Sequence, residues 1–207
     1  NAASNDENRD AFYKFHTFTV TGAQTEIIEL RRPFAQLNIG TSDYAASKSA
    51  GYTPTQSKVV VKNIYNTLNF ESGDVTGEEV VVYGYNAIDK TETFPVADYE
   101  YLAMNYLLVA ADKDVIDVEF GYTELDAATA QTRTVGSVPV QRNHRTNIYG
   151  QLLTSDVDVN VIIEPEYEEP AYELDELRKA ALNGGEVTLT DNVVLTKPLV
   201  GYGNMTS

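Results

Sequence analysis

The chain holds two histidines, His16 and His144, and no cysteine, so thiolate nucleophiles, thiolate metal sites and histidine clusters are absent together. His16 stands among Phe15, Thr17 and Phe18 and reads as an ordinary strand residue. His144, between Asn143 and Arg145, reads as a turn or hydrogen-bonding residue, and neither histidine has the serine and aspartate neighbours of a triad. Asp156-Val157-Asp158-Val159-Asn160 has the opening spacing of a calcium loop, but the glycine that turns such a loop and its distal glutamate do not follow. The intervening valines suit a strand with its acids in solvent. From Asp156 to Glu176 there is no basic residue, the composition of a solvated face and linker. No local motif sets two carboxylates apart for glycoside hydrolysis. The 14 tyrosines, without tryptophan, could line a sugar-binding surface, yet tyrosine is equally a good strand residue. Gly201-Tyr202-Gly203 lacks the spacing of a phosphate loop. These residues nominate no catalytic, cofactor-binding or metal site, no cofactor and no enzyme activity.

The elements that would carry a function are strands. The 207 residues suffice for one or two modest cores, and 43% hydrophobic with 22% charged residues is ordinary for a globular chain. A formal net charge of -16 repels phosphate backbones, so nucleic acid is not an expected partner. The longest apolar run, Tyr101 to Ala111, is short of the roughly 20 residues of a membrane helix. Asn1-Ala2-Ala3-Ser4 contains no apolar targeting segment.

Residues 1–11 are polar and are expected to be a flexible terminus. From Phe12 onward, runs of Val, Ile, Thr, Tyr and Phe alternate with Gly, Asn, Asp and Ser, an all-β pattern. It predicts strands near Phe15–Thr21, Thr25–Leu30, Phe34–Ile39, Lys58–Tyr65, Glu79–Tyr85, Tyr101–Ala110, Val115–Tyr122, Val138–Gln141, Asn147–Leu153 and Val157–Ile163. Ile116, Val118, Phe120 and Tyr122 alternate with Asp117, Glu119 and Gly121, so one face should be buried and the other wet. Asp43–Gln56 should be an exposed excursion with one helical turn, and Glu124–Val135 a polar loop. Phe34, Leu37, Ile39, Val118, Phe120, Ile148 and Leu152 are expected in the core. Alternation along Arg32–Thr41 does not rank its two faces, so Phe34 or Leu37 is the exception unless both faces are covered. A body over 12–163 is followed by an acidic, proline-containing linker over 164–172. Residues 173–207 then hold Leu174, Leu177, Ala180 and Ala181 at helical spacing, an Asn183-Gly184-Gly185 stop and two short β runs.

Three blocks carry a resemblance: Asn5-Asp6-Glu7-Asn8-Arg9-Asp10-Ala11-Phe12, Arg31-Arg32-Pro33-Phe34-Ala35-Gln36-Leu37-Asn38-Ile39-Gly40-Thr41, and the segment from Val138 to Thr154 that contains Arg142-Asn143-His144-Arg145-Thr146-Asn147-Ile148. In that order they resemble the fimbrillin-like surface proteins of Bacteroides-type bacteria, over Asn5 to Glu164. The resemblance implies a Greek-key, transthyretin-like β-sandwich at the cell surface or outer membrane. Many members of that family are exported as lipoproteins and polymerise into pili by strand exchange. The lipobox cysteine is absent, and the Val187–Thr196 tail is similar to the cap and first rung of a parallel β-helix, so these residues are expected to be a fragment of a longer protein.

The function this implies is non-enzymatic adhesion or a fimbrial structural role. Its partners would be other copies or surface subunits joined by strand addition, or surface glycans and proteins. The alternative is a glycan-binding module beside a carbohydrate-active β-helix enzyme. A sandwich of this family that opens at Asn5 should leave an edge or groove for an added strand, from another copy, from a cleaved upstream piece or from the chain's own Glu186–Val200.

Overall fold

The computed structural model describes residues 2–124, 130–154 and 159–164. The chain divides into two units, Asn1–Glu164 and Pro165–Ser207. The expected acidic linker beyond Glu164, the expected helix with its Gly-Gly stop and the expected β runs of Glu186–Val200 lie outside the described residues.

The described part is an all-β sandwich with one short α-helix. Its elements are β1 (Ala2–Ala3), a 3-10 turn (Glu7–Arg9), β2 (Phe34–Thr41), α1 (Tyr44–Ser49), β3 (Gln56–Ile64), β4 (Thr67–Leu68), β5 (Val75–Thr76), β6 (Glu79–Ala87), β7 (Glu100–Leu108), β8 (Asp114–Thr123), β9 (Gln131–Val140), β10 (Arg145–Gly150) and β11 (Val159–Glu164). One sheet has the order β1-β6-β3-β8-β9 and the other β11-β10-β2-β7, while β4 and β5 pair as a small ribbon. The chain crosses from sheet to sheet at β1–β2, β2–β3, β6–β7, β7–β8 and β9–β10, so both faces share one core. That core joins Ala35, Leu37, Ile39, Leu107 and Ile148 of one sheet to Val59, Val61, Ile116, Val118 and Phe120 of the other.

Period-two patterning explains most of this. On β8, Ile116, Val118, Phe120 and Tyr122 are buried, with Asp117 and Glu119 between them only partly so. Six of the seven expected core residues are buried: Leu37, Ile39, Val118, Phe120, Ile148 and Leu152. Phe34 is the exception. It is half-buried on the opposite face of β2, in contact with Tyr106. Both faces of β2 are nonetheless covered, with Gln36 and Asn38 buried on the second.

Three expectations are corrected. Phe15–Thr21 and Thr25–Leu30 are not strands; every residue from Lys14 to Arg31 is exposed, and Tyr13–Arg31 is the one bridge described there. β-forming residues make a strand only where an edge is available to pair with, and Ile27 beside Ile28 gives the second run no single apolar face. The loop expected over Glu124–Val135 is strand from Gln131 onward, because Thr132 and Thr134 continue the edge. A bulge near Gly136-Ser137, where Ser137 has φ 56° and donates from its backbone N–H to Asp117 at 3.1 Å, hides that continuity from the sequence. The opening residues, expected to be loose, are seated on both sheets, as described below. The expected helical turn in Asp43–Gln56 is α1.

Candidate functional site

The two most distinctive sequence blocks are neighbours. β10 runs parallel to β2, with Arg145 opposite Gln36, Asn147 opposite Asn38 and Gly150 opposite Thr41. Parallel partners cannot be joined by a tight turn, so this pair is held by side chains at three levels. At the start, Asn143 takes φ 60° and donates its backbone N–H to the Phe34 carbonyl at 2.8 Å. There Gln36 N–H also donates to the His144 carbonyl at 3.0 Å, and Arg145 Nε donates to Gln36 Oε1 at 3.0 Å. In the middle, Asn38 Nδ2 donates to Asn147 Oδ1 at 2.9 Å, both side chains fully buried.

At the far end Asp43 gathers donors. Thr41 Oγ1 hydrogen-bonds it, Thr154 donates from both its N–H and Oγ1 at 2.7 Å, and Leu153 N–H donates at 3.2 Å. Burial alone would raise this carboxyl's pKa, but those donors from Thr41, Thr154 and Leu153 outweigh it and hold the pKa below the ordinary carboxylate value. Next to it Gly40 has no side chain because Phe94 fills the space: a Cβ there would stand 2.5 Å from Phe94 Cζ. The blocks therefore describe a clamp, and its chemistry is structural.

The open region of the described molecule lies on the side where β7 ends one sheet and β6 is followed only by the two-residue β1 in the other. Here the N-terminal residues act as a clip. Ala2 and Ala3 pair parallel to β6 at Tyr83 and Gly84, and Ser4, fully buried, donates its N–H to Gly84 O at 3.0 Å. Asn5, at φ 56°, then crosses to the other sheet: its N–H donates to Met104 O at 2.8 Å, and its Oδ1 accepts from Met104 N–H at 2.9 Å. Its Nδ2 reaches back to Ala87 O and Ser57 Oγ at 2.9 and 3.0 Å. Asparagine suits this position because it tolerates positive φ and carries both a donor and an acceptor.

Below the clip the seam is open. A groove of about 400 Å³ is lined by Phe34, Tyr65, Val81, Tyr83, Tyr106 and Leu108, with Arg9, Asn66 and Glu79 at its polar positions. Tyr83 spans it, donating its hydroxyl to Tyr106 O at 2.9 Å, and burial pushes that phenol up to about 12. Among the described residues nothing pairs with β6 on this side from Glu79 to Val82. An apolar, tyrosine-lined groove beside unpaired strand backbone is suited to receive another strand.

The histidines lie apart. His144 Nδ1 meets the Arg142 carbonyl at 2.8 Å in the turn before β10, whereas His16 is on the exposed segment, 3.5 Å from Glu26. Asp156 and Asp158 fall outside the described residues, and Asn160 lies within β11. Among the described residues no group of His, Asp and Glu could hold a metal ion, and no helix is long and apolar enough to cross a membrane. Tyr83, Tyr106 and Tyr122 are buried strand residues, whereas Tyr99 and Tyr149 are half-buried and meet edge to face. The clip residues Ser4 and Asn5 and the Asp43 anchor escaped sequence reasoning. Only Thr41-Ser42-Asp43 at a strand end carried a signal, since that spacing is turn chemistry.

Residues 1–193 match the model of a family of unknown function, DUF6562, and the chain belongs to that family. A solved structure from Bacteroides fragilis, described as a "putative cell adhesion protein", is similar at 12% identity and a TM-score of 0.30. The similarity covers 74% of this chain and 52% of that one, so the chain spans about half the length of that protein. No curated protein matches the chain.

Proposed function

We propose that this chain is a non-enzymatic cell-surface protein, an adhesion or fimbrial subunit of a Bacteroides-type bacterium, completed by addition of a strand at the β6–β7 seam. The observation that carries the reading is the half-filled seam: Ala2–Ala3 occupy β6 at Tyr83 and Gly84, and the groove of about 400 Å³ continues along Glu79–Val82. A strand laid parallel to β6 in line with Ala2–Ala3 would hydrogen-bond that backbone and cover Val81, Tyr106 and Leu108. The resemblance of the Arg32–Thr41 and Val138–Thr154 blocks to fimbrillin-like proteins supports the surface location and lipoprotein export.

Hydrogen exchange tests it. Protein recovered from intact cells should exchange its Glu79–Val82 amides at least tenfold more slowly than the isolated chain. Equal exchange would remove strand addition, and adhesion by cells lacking the gene equal to that of the parent would remove the adhesive role. A glycan-binding module is the second reading, for which the half-buried Tyr99 and Tyr149, ring centroids 4.8 Å apart, are the aromatic pair to test.

A further inference from the structure

The segment from Lys14 to Arg31 has the chemistry of a strand and the environment of none. Phe15, Phe18, Val20, Ile27, Ile28 and Leu30 are 47, 55, 72, 88, 46 and 56% exposed. Tyr13 and Arg31 exchange two backbone hydrogen bonds, of 3.0 and 3.2 Å, and close the base of the arm. Beyond that bridge, among the described residues, no backbone hydrogen bond is made from Lys14 to Leu30. No proline, bulge or inward charge interrupts Phe15–Thr21, the devices that usually protect an unpaired strand from association.

Charge points to what covers it. Lys14 and Arg31 balance Glu26 and Glu29, so the arm is formally neutral on a chain of net charge -16. Two such bodies repel, and two arms do not. The first leg carries Lys14 and the second Glu26, Glu29 and Arg31, so the second leg is net negative and the first leg of one arm laid against it brings opposite charges together. Within a single arm the two legs already meet, His16 lying 3.5 Å from Glu26. A leg of this length extends ~25 Å at strand rise. That exceeds the Debye length of about 8 Å at physiological salt, so paired arms would keep the acidic bodies beyond each other's field.

We propose that the Lys14–Arg31 arm is a homotypic pairing element that joins two copies of this chain, strand against strand, along a two-fold axis. The contact is separate from the β6–β7 groove and stands or falls apart from it.

The test uses the full chain, whose lack of cysteine makes an introduced thiol unique. Sedimentation over a hundredfold range of concentration should show the mass rising from 22.8 kDa toward twice that value. Phe18→Asp with Ile28→Asp should weaken association at least tenfold and, at concentrations where the wild type is monomeric, leave the melting temperature unchanged, since both side chains are exposed. An equal mixture of Thr19→Cys and Thr25→Cys chains, one thiol on each leg, should give a covalent heterodimer on mild oxidation. A wild-type chain that stays monomeric overturns the proposal, as does a dimer that survives the double substitution. Dimerisation of the wild type without a covalent product from the Thr19→Cys and Thr25→Cys mixture, or with Glu79–Val82 newly protected from exchange, would place the arm in the groove instead and also overturn it.

Discussion

β2 and the arm that precedes it are adjacent in sequence and similar in composition, yet Phe34–Thr41 is covered on both faces whereas Lys14–Arg31 is exposed throughout. The difference lies in partners. β2 has β10 on one side and β7 on the other, and its ends are tied by Asn143 and Asp43. The arm has a single bridge at its base. Strand propensity in the two is equal; what separates them is whether the rest of the chain supplies an edge.

The largest expected effect tests this contrast directly. Leu37→Ala removes a side chain that is 0% exposed at the centre of the core and should cost about 2–5 kcal/mol. Ile27→Ala removes a comparable side chain that is 88% exposed and should change stability by no more than ~0.5 kcal/mol. Both are read from denaturant midpoints at constant m-value. Similar losses at the two sites would mean that the arm is packed in solution and would erase the comparison.

Next comes the tie that makes β2 central. Asp43→Ala leaves Leu153 and Thr154 without their acceptor, Thr41 keeping the Gly150 carbonyl at 3.2 Å, and should cost about 2–4 kcal/mol. The pH dependence carries the opposite sign to that of a buried neutral acid. The Asp43 carboxyl is held below its unfolded value, so its contribution is complete above the ordinary carboxylate range and is lost as pH falls through the depressed folded pKa. Denaturant melts from neutral pH downward should show a shallower acid limb in the variant; an unchanged limb would mean that Asp43 is no anchor.

How far the sequence could be read follows the same division. Alternation on β8 and the wording of the β2 and β10 blocks were legible, because a one-residue slip would turn Ile116, Val118 and Phe120 to solvent. The face of Phe34 was not, since a strand buried on both sides has no alternation to read. The β9 edge was hidden by the bulge at Gly136-Ser137, and the arm by its resemblance to any strand of the body. The clip was hidden for another reason. Ala2-Ala3-Ser4-Asn5 has the composition of a loose terminus, and only contacts with Gly84, Ala87 and Met104, some eighty to a hundred positions away, give it a role.

The smallest effect isolates the seam from the arm. No tyrosine lies between Lys14 and Arg31, so the titration of the phenols carries no signal from the arm. Tyr83 is 5% exposed and its phenol is raised to about 12 by burial, a shift only partly opposed by Arg9. A group whose folded pKa lies above its unfolded value stabilises fully below the unfolded value, near 10 for tyrosine, and loses that contribution as pH rises toward the folded one. Stability should therefore decline between pH 10 and about 12, with Tyr101, also raised to about 12 by burial, contributing a second share. Tyr83→Phe should cost ~1 kcal/mol at neutral pH, where the hydrogen bond to Tyr106 O is lost. It should also reduce the alkaline decline without abolishing it. Filling the groove with an added strand would bury Tyr83 further and steepen the decline relative to the isolated chain. A wild-type decline that Tyr83→Phe leaves unaltered would show that Tyr83 is already solvated and that the seam is open above the groove, at the clip itself.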